Sequence, residues 1–176
     1  MSTYIGSDSN IWIDLSEIGH IDDPFKLINH EFYISADAFR EELVEPSELR
    51  KNLSKSGLQI AEISEEEFAL SIEYRNNYRR LSQYDSFALA IAKSRSWVLL
   101  TGDKALRNAA EKECVECHGL LWIYDQLRTQ HRISKHDLRD ALSSLLDSVQ
   151  KGRSRIPVEE INKRLSAIGK RSEPER

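Results

Sequence analysis

The stretch Ser96–Asn108, S-W-V-L-L-T-G-D-K-A-L-R-N, constrains the fold more than any other part of the chain. Trp97 to Leu100 form a short apolar run of the kind a strand buried on both faces requires. Thr101-Gly102-Asp103 breaks the run, and Ala105, Leu106, Ala109 and Ala110 resume apolar character at helical spacing. The reading is strand, tight turn, helix. In an open parallel sheet, ligands sit beyond the carboxyl ends of the strands, which is where Asp103 falls. Capping alone also accounts for Asp103, since Asp is a preferred N-cap. A chemical role depends on whether other acids reach the same edge.

The rest of the chain repeats the design. Tyr4–Ser7 reads as a first strand followed by Asp8-Ser9-Asn10, and Ile11, Trp12, Leu15 and Ile18 fall on one helical face ended by Gly19. Asp22-Asp23-Pro24 starts a short helix through Ile28. Phe32–Ile34 is the second strand, and Ser35 caps a helix from Ala36 on which Glu42 shares a face with Phe39 and Leu43, while Glu41 points away. An inward carboxylate is costly unless it is paired or bound to a cation. A polar helix from Pro46 ends at Gly57, and Leu58–Ile63 is the third strand. Ser64–Glu67 and Ser82–Asp85 are capping boxes opening two helices. The first carries Tyr74, Arg75, Tyr78, Arg79 and Arg80, a mixture suited to RNA contact or simply to a solvated face. Leu120–Ile123 is expected as the fifth strand, with a helix from Asp125. Ser134 caps a further helix with Leu138, Leu142, Leu145 and Leu146 inward, and Pro157 opens a last one through Ile161, Leu165 and Ile168.

Strands alternating with helices imply right-handed crossovers and an α/β fold: a central five-stranded parallel sheet with helices on both faces. The expected organisation is a domain over 1–130, a C-terminal helical extension packed on it over 131–168, and a flexible basic tail over 169–176. Residues Gln150 to Arg176 hold eight Lys/Arg against four Asp/Glu, leaving 17 against 25 in the body. So acidic a body suits a polyanionic partner only if metal ions offset its carboxylates, while the basic tail could contact nucleic acid or an acidic protein. No run of 18 apolar residues exists, so no membrane span is expected. The first residues lack a basic region followed by an apolar one, and a cytoplasmic location is the expectation. Cys114-Val115-Glu116-Cys117-His118 matches the string used for covalent haem attachment. That attachment belongs to exported proteins, so no haem is expected. A closed zinc site wants four ligands and finds one nearby His, leaving two reduced structural thiols.

In this architecture Asp8, Glu42, Asp85 and Asp103 all belong to helix starts or inward faces near one sheet edge. Four carboxylates pushed together repel, so the cluster makes sense mainly as a cage for Mg²⁺ or Mn²⁺, hard cations that prefer oxygen ligands. Paired ions of this type activate water and stabilise the leaving oxygen of a phosphodiester. The separated motifs D-S-N-I-W-I-D-L, E-E-L, Y-D-S-F-A-L-A-I-A and L-L-T-G-D-K-A-L-R, in that order, resemble a PIN domain over about residues 4–128. The resemblance implies a three-layer PIN-like fold and a metal-dependent ribonuclease, many such proteins being toxins of VapC-type toxin–antitoxin pairs. It implies that Asp8, Glu42, Asp85 and Asp103 form the catalytic quartet binding Mg²⁺ or Mn²⁺, with Asn10 and Thr101 supporting them by hydrogen bonds. RNA is then the substrate, an antitoxin protein a candidate partner and a homodimer the expected assembly. The roughly 45 residues beyond the fifth strand depart from a small toxin, and the sequence does not choose between antitoxin binding, dimerisation and RNA orientation for them.

Other acid-edged parallel folds fit less well. A haloacid-dehalogenase phosphatase needs D-x-D, and Asn10 holds the second position. A receiver domain needs a lone Asp where Ile63-Ser64 stands. No G-x-G-x-x-G occurs, and the five His are scattered. The rival of another class is a PIN-like binding or regulatory module without turnover.

Overall fold

A computed structural model describes residues 3–169. Five parallel strands form one sheet: β1 (Thr3–Ser7), β2 (His30–Ser35), β3 (Gln59–Ala61), β4 (Val98–Leu100) and β5 (Cys117–His118), in the order β3-β2-β1-β4-β5. β1 is central, and its register aligns Ser7 with Ile34 on one side and Leu100 on the other. The carboxyl ends of the three middle strands are therefore level. Helices α1 (Ser9–Glu17), α2 (Ala36–Glu41), α4 (Glu65–Asn77), α5 (Gln83–Arg95), α6 (Lys104–Lys112) and α7 (Leu120–Thr129) each follow or connect strands, with α3 (Leu49–Ser56) before β3. The chain ends in α8 (Lys135–Gln150) and α9 (Val158–Gly169). The basic tail expected over 169–176 lies, beyond Gly169, outside the described residues.

Alternation along the strands divides the interior in two. Ile5, Phe32, Ile34, Val98 and Leu100 face one side, where Ile11, Trp12 and Leu15 of α1, Leu49 and Leu53 of α3, and Leu120, Ile123, Tyr124 and Leu127 of α7 cover them. Leu138, Ala141, Leu142 and Leu145 of α8 and Ile161 of α9 belong to this same cluster. Leu99 faces the other side, against Ala88, Leu89 and Ala92 of α5, Leu106, Ala109 and Ala110 of α6, and Tyr74 of α4. The result is a three-layer α/β fold with C-terminal helices built into one layer. Arg164 of α9 grips Asp125 of α7 with two hydrogen bonds of 2.9 and 2.6 Å, the bidentate geometry that fixes orientation best. Among the described residues no helix is long and apolar enough to cross a membrane.

The fifth strand is a correction to the sequence reading. Leu120–Ile123 is the first turn of α7, and β5 is the two-residue Cys117–His118. A short apolar run fits a buried strand or a helix equally. The buried set Leu120, Leu121, Tyr124 and Leu127 recurs at three- and four-residue spacing, which selects the helix. Asp125 accordingly lies inside α7 and does not start it. The short helix expected from Asp22 is a 3-10 turn over Asp23–Lys26. Both capping boxes form as expected, at Ser64/Glu67 and Ser82/Asp85.

Candidate functional site

Asp8 is the centre of the carboxyl edge. β1 ends at Ser7, whose hydroxyl donates to the Tyr33 carbonyl at 2.7 Å and accepts from the Trp12 indole at 2.8 Å, locking the strand end to β2 and α1. The Asp8 N–H donates to Leu100 O at 2.9 Å, which ties the first residue of the crevice to β4. Asp8 N-caps α1 and is only 6% exposed. Its Oδ2 accepts from the Thr101 hydroxyl at 2.8 Å and from the Asn10 amide at 3.4 Å, and its Oδ1 accepts from the Asn10 N–H at 3.4 Å. Thr101 is fully buried and is itself held by its own N–H donating to His118 O at 2.9 Å. One threonine thus connects β1, β4 and β5 at the site.

Glu42 comes to Asp8 through a residue that the sequence did not single out. It is the C-cap of α2, where the helix loosens, and its Oε2 accepts from the Ser9 hydroxyl at 2.8 Å. The same hydroxyl lies 3.3 Å from Asp8 Oδ1. Glu41 is exposed and Glu42 partly buried, so only the second can reach the crevice. Asp85 sits at N3 of α5, with one oxygen accepting from the Ser82 N–H at 2.8 Å. Its charge is felt by both Asp8 and Glu42. Asp103 stands at the same edge but its Oδ1 is occupied as N-cap of α6, accepting from Leu106 N–H at 2.8 Å. Its N–H donates to Thr101 Oγ1 at 3.0 Å, so Asp103 joins the network through its backbone.

The electrostatics are those of negative charge without compensation. Burial pushes the Asp8 carboxyl above its usual range, and Asp85 pushes it further, against the hydrogen bonds of Thr101 and Asn10. Glu42 is raised by burial and by Asp8 and Asp85, against Ser9. An acid that the sequence reading passed over, Asp14, is raised to about 6 by burial first, then by Asp8 and Glu17. It lies one helical turn beyond Asn10 on α1, and its spacing of three from Ile11 and four from Ile18 was the available signal. Among the described residues none of Asp8, Glu42, Asp85 and Asp103 forms an ion pair.

Asp8 and Glu42, raised first by burial and then by neighbouring carboxylates, form a donor pair that fits a hard divalent cation. Among the described residues, no three His, Cys, Asp or Glu side chains are close enough together to chelate an ion as they stand. Mg²⁺ does not require that, because it keeps several waters and is commonly held by one or two carboxylates. Asp8 and Glu42, joined by Ser9, are the pair available.

The sequence profile of the DUF3368 family, described as a PIN domain, matches residues 5–170. Among solved structures, a PilT N-terminus domain protein from the hyperthermophilic archaeon Sulfolobus solfataricus P2 is similar at TM-score 0.44 and 14% identity. The match covers 69% of this chain and 90% of that one. None of the curated proteins matches the chain in sequence.

Proposed function

The chain belongs to the DUF3368 family of PIN domains, and on that footing we propose that it is a Mg²⁺- or Mn²⁺-dependent ribonuclease. The carrying observation is the buried Asp8 carboxylate, raised by desolvation and by Asp85, with no cationic side chain to pair it. Such a group is costly in a folded protein unless a cation completes it. In this reading Asp8 and Glu42 hold the ion, with Asp85 and Asp103 as the other members of an acidic quartet. Asn10 and Thr101 fix the Asp8 oxygens, and Ser9 fixes Glu42. When bound, the ion supplies polarisation of an attacking water and neutralises the leaving oxygen of a phosphodiester. The residues of the chain orient the donors, exclude bulk water from Asp8 and keep its carboxylate from swinging. RNA with an unstacked, accessible backbone suits a crevice open at a sheet edge. The toxin role within a toxin–antitoxin pair, with an antitoxin as protein partner, is part of the same proposal.

One observation favours a second reading, a catalytically silent PIN-like binding module: Asp85 and Asp103 each commit an oxygen to a helix cap. Incubating the protein with a looped RNA in Mn²⁺, in EDTA, and as Asp8→Asn separates the two. Cleavage that requires metal and disappears in Asp8→Asn supports the nuclease. Metal binding without cleavage across a panel of RNAs supports the silent module.

A further inference from the structure

Gly119 has no backbone reason to be glycine. Its φ of −98° and ψ of 177° are ordinary extended values, and it N-caps α7 without any side-chain hydrogen bond, a position that Ser, Asp or Asn fills better. What glycine provides there is room. A methyl group on Gly119 would stand 3.1 Å from Arg107 Nη1 and 3.8 Å from the Thr101 carbonyl oxygen. The Arg107 guanidinium therefore lies against the bare Gly119 backbone, beside the threonine whose hydroxyl holds Asp8. Arg107 reaches this place from α6, the helix capped by Asp103, with its own N–H bonded to Asp103 O at 3.0 Å. The Cys117 thiol feels both charges: burial raises it to about 11, Arg107 lowers it and Asp8 raises it. The two charges thus stand around one point on β5.

Arg107 is exposed and, among the described residues, makes no ion pair, although acids surround the crevice next to it. Arg95, Arg153 and Arg164, by contrast, are each engaged with a carboxylate. A phosphodiester brought to this edge is repelled by its carboxylates and attracted by the Arg107 guanidinium beside them. A planar guanidinium with five donors matches phosphate oxygens in pairs. We propose that Arg107, seated on Gly119, is a substrate-positioning residue that binds an RNA phosphate beside the Asp8 crevice. The inference rests on the ribonuclease reading and names the residue that would anchor its substrate.

The test uses the full chain and a fluorescein-labelled single-stranded RNA, with binding read by anisotropy in EDTA and cleavage read separately in Mn²⁺. Arg107→Ala should weaken binding and raise KM by about ten-fold, the effect of losing a charge-assisted hydrogen bond, with kcat changed far less. The log–log salt dependence of binding should become shallower by about one phosphate contact. Arg107→Lys should recover part of the affinity by restoring the charge. Gly119→Ala keeps the charge and displaces the guanidinium, so it should weaken binding with little change in urea stability. Combined with Arg107→Ala it should add nothing, because the two act through one contact. Wild-type affinity, KM and salt slope in Arg107→Ala, with RNA still cleaved, would overturn this inference alone. Additive losses in the double variant would overturn it too. Failure of the wild type to bind or cleave RNA would overturn the ribonuclease reading and this inference with it.

Discussion

Asp14→Asn should make the metal-free protein more stable at neutral pH. Asp14 carries its carboxyl on α1, where burial, then Asp8 and Glu17, raise it from 3.8 to about 6, against a lowering by Ser154. The folded protein therefore holds this proton more tightly than the unfolded chain does. Stability from this group is fully present below pH 3.8, is lost as the pH rises to about 6, and is flat beyond. At 1.36 kcal/mol per pH unit the rise corresponds to a ceiling of about 3 kcal/mol. The carboxyl is only partly buried, so solvent screening reduces this to about 1–2 kcal/mol. Asparagine keeps the shape and removes the charge. Urea unfolding in EDTA should show Asp14→Asn more stable than wild type by about 1–2 kcal/mol near pH 7.5, with the gain gone near pH 3.5 and the denaturant slope unchanged. A variant less stable at pH 7.5, or a gain that does not shrink on acidification, would refute the reasoning.

The remaining predictions concern the supports of the site and of the fold. Thr101→Val removes a hydroxyl that donates to Asp8 and accepts from Asp103 N–H, both in buried or half-buried surroundings; denaturant unfolding should show a loss of about 2–4 kcal/mol. Leu142→Ala leaves a hole in the core cluster that α8 shares with α1 and α7, in a fully buried position, and should cost about 2–5 kcal/mol in the same assay. Glu67 is the counterexample to Asp14: burial raises its carboxyl, but Arg95 at 2.6 Å and the Ser64 N–H outweigh it and the net direction is down. Its contribution is present at neutral pH and lost as the pH falls through the folded-state value. Glu67→Gln should therefore destabilise by about 1–3 kcal/mol at pH 7, with the deficit shrinking in acid, followed by circular dichroism across pH.

The residues that announced the fold did so through local rules. Ser64-x-x-Glu67 and Ser82-x-x-Asp85 specify helix starts by reciprocal hydrogen bonds, which a sequence displays directly. The short strand at Tyr4–Ser7, followed at once by Asp8 and the helical stripe of α1, placed Asp8 at the sheet edge. The fifth strand was not legible, because an edge strand of two residues leaves almost no pattern, while Leu120–Ile123 offered a stronger apolar signal. Ser9 was hidden for another reason. Its importance lies in joining Asp8 to Glu42, which is 33 residues from Ser9, and only the fold, bringing the end of α2 to the start of α1, shows the link. Arg107 went unremarked within the L-L-T-G-D-K-A-L-R stretch, because Gly119, the surface it rests on, belongs to a different element.

The central claim is that the Asp8 edge holds a divalent cation. Calorimetric titration of Mn²⁺ and Mg²⁺ into the wild type and into Asp8→Asn tests it most directly. Binding by the wild type, lost or greatly weakened in Asp8→Asn while the variant stays folded, is the predicted result. A wild type that takes up no metal at millimolar concentration, or a variant that binds as well as the wild type, would contradict it.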